Sequence, residues 1–117
     1  MKREKFVLNL YNLVSTENIE IYKNLFENTD TKKVKDDYWK SALSFYNKLS
    51  NHDKKMFFEI LRQISIDTTS NILAILDGVT YMENQDDDFN LSFVKTRETI
   101  NGELQDLFLE IIEEKNQ

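Results

Sequence analysis

The chain has no cysteine, no proline, two glycines and one histidine among its 117 residues. Without cysteine it can form no disulfide, thiolate metal site or cysteine nucleophile. The single histidine, His52, rules out a histidine metal cage; it stands at an apparent helix boundary, where a cap or a solvated position suits it better than a catalytic dyad. Neither Gly78 nor Gly102 belongs to a G-x-G-x-x-G or G-x-x-x-x-G-K-[ST] pattern, so nothing points to a phosphate cradle. The lack of proline leaves no stiff linker, and a single helical domain over residues 1–117 is expected.

No window approaches the roughly 18 uninterrupted apolar residues of a membrane span. The basic start, Met1-Lys2-Arg3-Glu4-Lys5, leads into a stretch broken by Asn9, Asn12 and Glu17, which is not the pattern of a signal peptide. A cytoplasmic protein with no membrane partner is expected.

Apolar side chains, by contrast, are plentiful. Hydrophobic residues make up 40% of the chain and aromatics 12%, enough for a core despite 31% charged residues. Phe6, Val7, Leu10, Leu13 and Val14 follow helical spacing, as do Ile19, Tyr22, Leu25 and Phe26. Ser15-Thr16-Glu17 between them could cap a new helix, yet nothing there forces a break, so two helices and one long helix both fit. Asn28 to Lys35 reads as a loop. Asp36 or Asp37 then caps a helix carrying Tyr38, Trp39, Ala42, Leu43, Phe45, Tyr46 and Leu49.

Ser50-Asn51-His52-Asp53 marks the next boundary. From about Lys54 to Asp77 runs the most apolar segment, expected to be a central helix buried by several neighbours, with Gly78 at its C′ position. Val79–Met82 and Phe89–Val94 fit a small hairpin or an extended loop. Asn101 is placed to cap a last helix with Leu104, Leu107, Phe108, Ile111 and Ile112 on its apolar face. The expected fold is mainly α: a compact bundle of four to five helices around a central apolar helix.

Charge is unevenly spread. Residues 1–55 carry 11 Lys and Arg against 8 Asp and Glu, whereas residues 56–117 carry 4 against 13, within a net charge of -6. An acidic C-terminal half repels phosphate backbones, so nucleic-acid binding is disfavoured and a basic protein partner is expected. Glu103, Asp106, Glu110, Glu113 and Glu114 fall within about 100° of arc on the last helix, opposite much of its apolar face. Glu113 and Glu114 oppose the helix dipole, so helix stability does not explain them. They are the candidate partner-binding residues, although a charged outer face also serves solubility. Tyr81, Phe89 and Phe93 are candidate aromatic anchors beside them, or core residues.

Arg62, Gln63 and Asp67 interrupt the apolar central segment and could line a ligand pocket, a packing network or a wet face. Asp86-Asp87-Asp88 suggests a calcium loop, but Leu91 replaces the glycine of an EF-hand and Arg97 its bidentate acid, leaving an improvised ion site or a solvated turn. No catalytic residue, cofactor or resident metal is expected.

The runs Asp67-Thr68-Thr69-Ser70-Asn71-Ile72-Leu73-Ala74-Ile75-Leu76-Asp77-Gly78 and Asn101-Gly102-Glu103-Leu104-Gln105-Asp106-Leu107-Phe108-Leu109-Glu110 resemble a group of small uncharacterised bacterial proteins, a resemblance that implies no catalytic residue. In size, acidity and helical content the chain is also similar to bacterial immunity proteins that neutralise basic nuclease toxins, without sharing their motifs. Three functions follow as expectations: a non-enzymatic interaction protein of inhibitor or immunity type, a small-molecule binder or enzyme with a pocket beside Arg62, and a helical homodimer.

Overall fold

A computed structural model describes residues 1–116. Its first helix runs unbroken from α1 (Arg3–Asn12) through a π-helical turn, Leu13–Glu17, into α2 (Asn18–Asn28). Apolar phasing explains the turn. Val7, Tyr11 and Val14 form one buried stripe, but beyond them the inward positions are Ser15, Ile19 and Phe26, a register one residue out of step. A π turn inserts one residue into an α-helix and restores the phase without ending the helix.

A 3-10 turn (Thr31–Lys33) follows, and then α3 (Asp37–Asn47), whose Trp39 N–H donates to the Asp36 carboxylate at 3.1 Å. Ser50 caps α4 (Asn51–Leu76) by accepting the Asp53 N–H at 3.1 Å. At its other end α4 is closed by Gly78, at φ +77°. The Val79 N–H reaches back to the Ala74 carbonyl at 2.9 Å and the Gly78 N–H to Ile75 at 3.2 Å. This is a Schellman stop, which glycine enters without a Cβ penalty.

The 26 residues of α4 span ~39 Å and run antiparallel to the first helix. Phe26 packs on Phe57 and Phe58 near the start of α4, and the Ser65 hydroxyl donates to the Val14 carbonyl at 2.9 Å near its middle. α5 (Leu104–Lys115) lies on α1 and the second half of α4, and α3 on the first half.

Two apolar clusters result. One joins Val7, Tyr11, Val14, Ile66, Leu73, Leu104 and Phe108; the other joins Phe26, Leu43, Tyr46 and Phe58. The molecule measures 49 × 36 × 28 Å with a radius of gyration of 18.0 Å, where ~13 Å is usual for a chain of this length. It exposes 8727 Å², against ~6,700 Å² for a monomer of its mass.

Elongation changes the role of α4. Its sequence predicts a central helix buried by several neighbours, but it buries one stripe, Phe58, Ile66, Ser70, Leu73 and Ala74, while Ile60, Ile64 and Ile72 stay more than half exposed. Four helices strung along 49 Å leave too few neighbours at any level to enclose it.

The segment 79–103 contains no strand among the described residues. Phe89–Val94 does not pair with Val79–Met82. Instead a single antiparallel bridge joins Ser92 to Thr99, flanked by bonds from Ile100 N–H to Leu91 and from Phe93 N–H to Glu98. The turn between the bridged residues is made at Arg97, with φ +62°, while the segment leading into the acidic run makes a separate turn at Asn84, with φ +64°.

Candidate functional site

The end of the molecule that carries α5 is held by two polar side chains. Asn101, expected as the cap of α5, instead accepts the Leu91 N–H at 2.9 Å and donates to the carbonyls of Leu76 and Phe89. The cap comes from Asp77, one residue past α4, whose carboxylate accepts the Gly102 N–H at 2.6 Å and the Gln105 N–H at 2.7 Å. A carboxylate there also complements the positive end of the α5 dipole. Gln105 in turn donates to the buried Ser70 hydroxyl at 3.2 Å, fixing α5 on α4.

Leu104 and Phe108 are sealed beneath α5, which leaves Glu103, Asp106, Glu110, Glu113 and Glu114 exposed on its outer face. Among the described residues the only ion pair is Arg3 with Glu103, at 3.8 Å, so the stripe is not neutralised by the bases of the N-terminal half. Residues 1–17 and 62–117 together carry seven Lys and Arg against fourteen Asp and Glu, a net of -7, whereas residues 18–61 carry eight against seven. The molecule is charge-polarised along its length.

The loop at the acidic end adds apolar surface. Val79, Tyr81, Met82, Phe89 and Val94 are exposed, whereas Phe93 is half-buried. Tyr81 donates its hydroxyl to Asp88, a bond that, with the adjacent negative charge, raises the phenol above its ordinary value. Asp87 accepts the Asp88 N–H at 2.8 Å. The acidic run therefore braces its own turn, and no cluster of three or more His, Asp or Glu placed to hold a metal ion occurs among the described residues.

The structure does not bring Arg62, Gln63 and Asp67 together around a cavity. Gln63 donates to Asp67 at 3.0 Å on the exposed face of α4, while Arg62 turns the other way and donates to the Tyr11 hydroxyl at 2.8 Å. Arg62 alone of the three lines a polar cleft of about 470 Å³ between α2 and α4. Lys23, Lys54 and Lys55 share that cleft with Glu20, Glu27 and Glu59, and Lys54 lies 4.9 Å over the Tyr46 ring. Tyr46 donates its hydroxyl to Glu27; burial first, then Glu27, pushes the phenol up to about 12. His52 is exposed in the first turn of α4.

On the opposite side of α2 and α4 lies an apolar groove of about 530 Å³. Three helical faces converge on it: Ile19, Tyr22 and Phe26 from α2, Tyr38, Ala42 and Phe45 from α3, and Phe57, Leu61 and Ile64 from α4. No charged side chain lines it. Each triplet follows helical i, i+3 or i+4 spacing, so each helix offers the groove a coherent stripe, as if a further helix were to fill it. The sequence places these residues at helical spacing on the apolar faces of their helices but does not show that the three faces converge. The available signal was the width of the α4 apolar arc, which carries Phe57, Leu61 and Ile64 in addition to its buried stripe.

No helix among the described residues is long and apolar enough to cross a membrane. No family model matches the chain, and neither a curated protein nor a solved structure matches it.

Proposed function

We propose that the protein is a non-enzymatic interaction module of inhibitor or immunity type that binds a basic protein through its acidic end. The observation that carries this reading is the α5 stripe: five exposed carboxylates share one face and only Glu103 has an ion-pair partner among the described residues. Such a face steers a basic partner and sets its salt dependence, but affinity also needs apolar anchors. Tyr81, Phe89 and Val94 stand exposed on the same end, in the loop that Asp77 and Asn101 tie to α5.

The test is affinity capture at low and moderate salt with the wild-type chain and with the triple variant Asp106→Lys, Glu110→Lys, Glu113→Lys. A basic protein held by the wild type, released by salt and lost by the variant is the expected result. Capture that the variant leaves unchanged, or no salt-released basic protein, removes the reading.

A further inference from the structure

The apolar groove lies at the other end of the molecule and plays no part in the acidic-face reading. Tyr22, Tyr38, Phe45 and Ile64 are each more than two-fifths exposed around it, a contiguous patch of large apolar side chains that water solvates poorly. We propose that its occupant is a second copy of this chain, seated by the same face, so that two molecules pair two-fold through their α2–α3–α4 ends.

Charge selects this occupant. Among the described residues the groove has no charged lining side chain, and it belongs to residues 18–65, which carry nine Lys and Arg against seven Asp and Glu, so it offers little to a strongly charged partner. Two copies joined there meet at their near-neutral ends. Their acidic ends then point away from each other along molecules 49 Å long, several Debye lengths of ~8 Å apart. Joining through α5 instead would set one acidic end against another.

Area agrees. The whole chain exposes 8727 Å², ~2,000 Å² more than a monomer of its mass, and a standard interface takes ~800 Å² from each partner. Tyr22, Tyr38, Phe45 and Ile64, each more than two-fifths exposed, place part of that surface at the groove. A two-fold pair also needs a face that complements itself, and three convergent apolar stripes provide knobs and a slot on the same surface.

Sedimentation velocity of the full chain from about 1 to 100 μM tests the proposal. The expected species has twice the 14.0 kDa of one chain, and moderate salt leaves it intact, because apolar contact is not screened. Phe45→Lys with Ile64→Lys places two cations in the groove and is expected to weaken association by ~100-fold or more. Both positions are more than half exposed, so far-UV circular dichroism stays unchanged. Tyr38→Lys, at 71% exposure, is read the same way should the double variant unfold. Val94→Lys, at 96% exposure on the acidic end, leaves the mass of the pair unaltered. A wild-type chain that remains single at the highest concentration overturns the proposal, and the groove then belongs to a different protein or a small apolar molecule. A pair that survives the groove lysines overturns it as well. Neither result bears on capture of a basic protein by the α5 face, so the two readings fail separately.

Discussion

The two ends of the molecule are finished to different degrees. At the α5 end, Val7, Leu104 and Phe108 are completely shielded and the backbone around them is tied by Asp77, Asn101 and the Ser70–Gln105 pair. At the α3 end the cluster is aromatic rather than aliphatic, Phe26 and Phe58 remain slightly accessible, and an apolar groove opens beside them. Aromatic rings meet there in tilted and edge-on contacts, for example Phe26 with Phe57 at 5.2 Å and Tyr46 with Phe58 at 5.6 Å. Those contacts hold the helices together without covering them. Under α5 the apolar face is thus closed within one chain, although the neighbouring loop exposes Val79, Tyr81, Met82, Phe89 and Val94, whereas the near-neutral end leaves three helical stripes open along a groove.

Substitution at matched residues separates the ends most sharply. Phe108→Ala empties a sealed site and is expected to lower unfolding free energy by ~3–5 kcal/mol, read in urea titrations at a concentration where the chain is single. Phe45→Ala, on the groove, is expected to change it by less than about 0.5 kcal/mol under the same conditions. Equal losses would erase the distinction between a closed and an open end.

The ties at the α5 end come next. Asp77→Ala removes the acceptor of the Gly102 N–H just before α5 and of the Gln105 N–H in its first turn and is expected to cost ~1–2 kcal/mol, with faster hydrogen exchange at both as its local signature. Unchanged exchange there would mean that packing alone holds α5.

At the α3 end the titrating group is Tyr46. Its phenol is held at about 12 in the folded chain and near 10.0 as its ordinary value. The folded state therefore prefers the neutral phenol, and the associated stability is complete below pH 10 and lost as pH rises toward 12. Because the side chain borders an open cleft, the loss is on the order of 1 kcal/mol. Comparing wild type with Tyr46→Phe across that interval isolates it from the lysines; parallel stability curves would remove the assignment.

The acidic stripe gives a small effect of the opposite sign. Glu113→Gln and Glu114→Gln remove negative charge from the C-terminal turn of α5 and are each expected to raise stability by ~0.3–1 kcal/mol at low salt, seen as a higher Tm. A fall in Tm would show that these acids support the fold instead of opposing the dipole.

Local features were legible in the residues. The cap of α3 falls on Asp36, one of the two aspartates its sequence offers, and that of α4 on Ser50, the first residue of the Ser50–Asp53 boundary; Gly78 ends α4 and the apolar face of α5 carries Leu104 and Phe108, because each depends on neighbours within a few positions. The candidate site was legible only in part. The five carboxylates of α5 lie on one exposed face as their spacing implies; Gln63 and Asp67, four residues apart, stay together, while Arg62, next to Gln63 in sequence and therefore on a different side of the helix, meets Tyr11 instead. Ile100, almost fully buried, stood in a run with no periodicity to mark it.

By itself, then, the sequence determined the helical class, the places where α3 and α4 begin, the stop at Gly78 and the concentration of negative charge in the second half, all properties of short stretches of chain. Only the tertiary structure decided that Asp77 caps a helix 28 residues away, that Leu91 pairs with Ile100, and that the core divides into two clusters with a groove beside the second. Those outcomes depend on which apolar faces meet across the chain. A helical stripe states only that a face seeks cover; the number of helices available at each level decides whether it finds it.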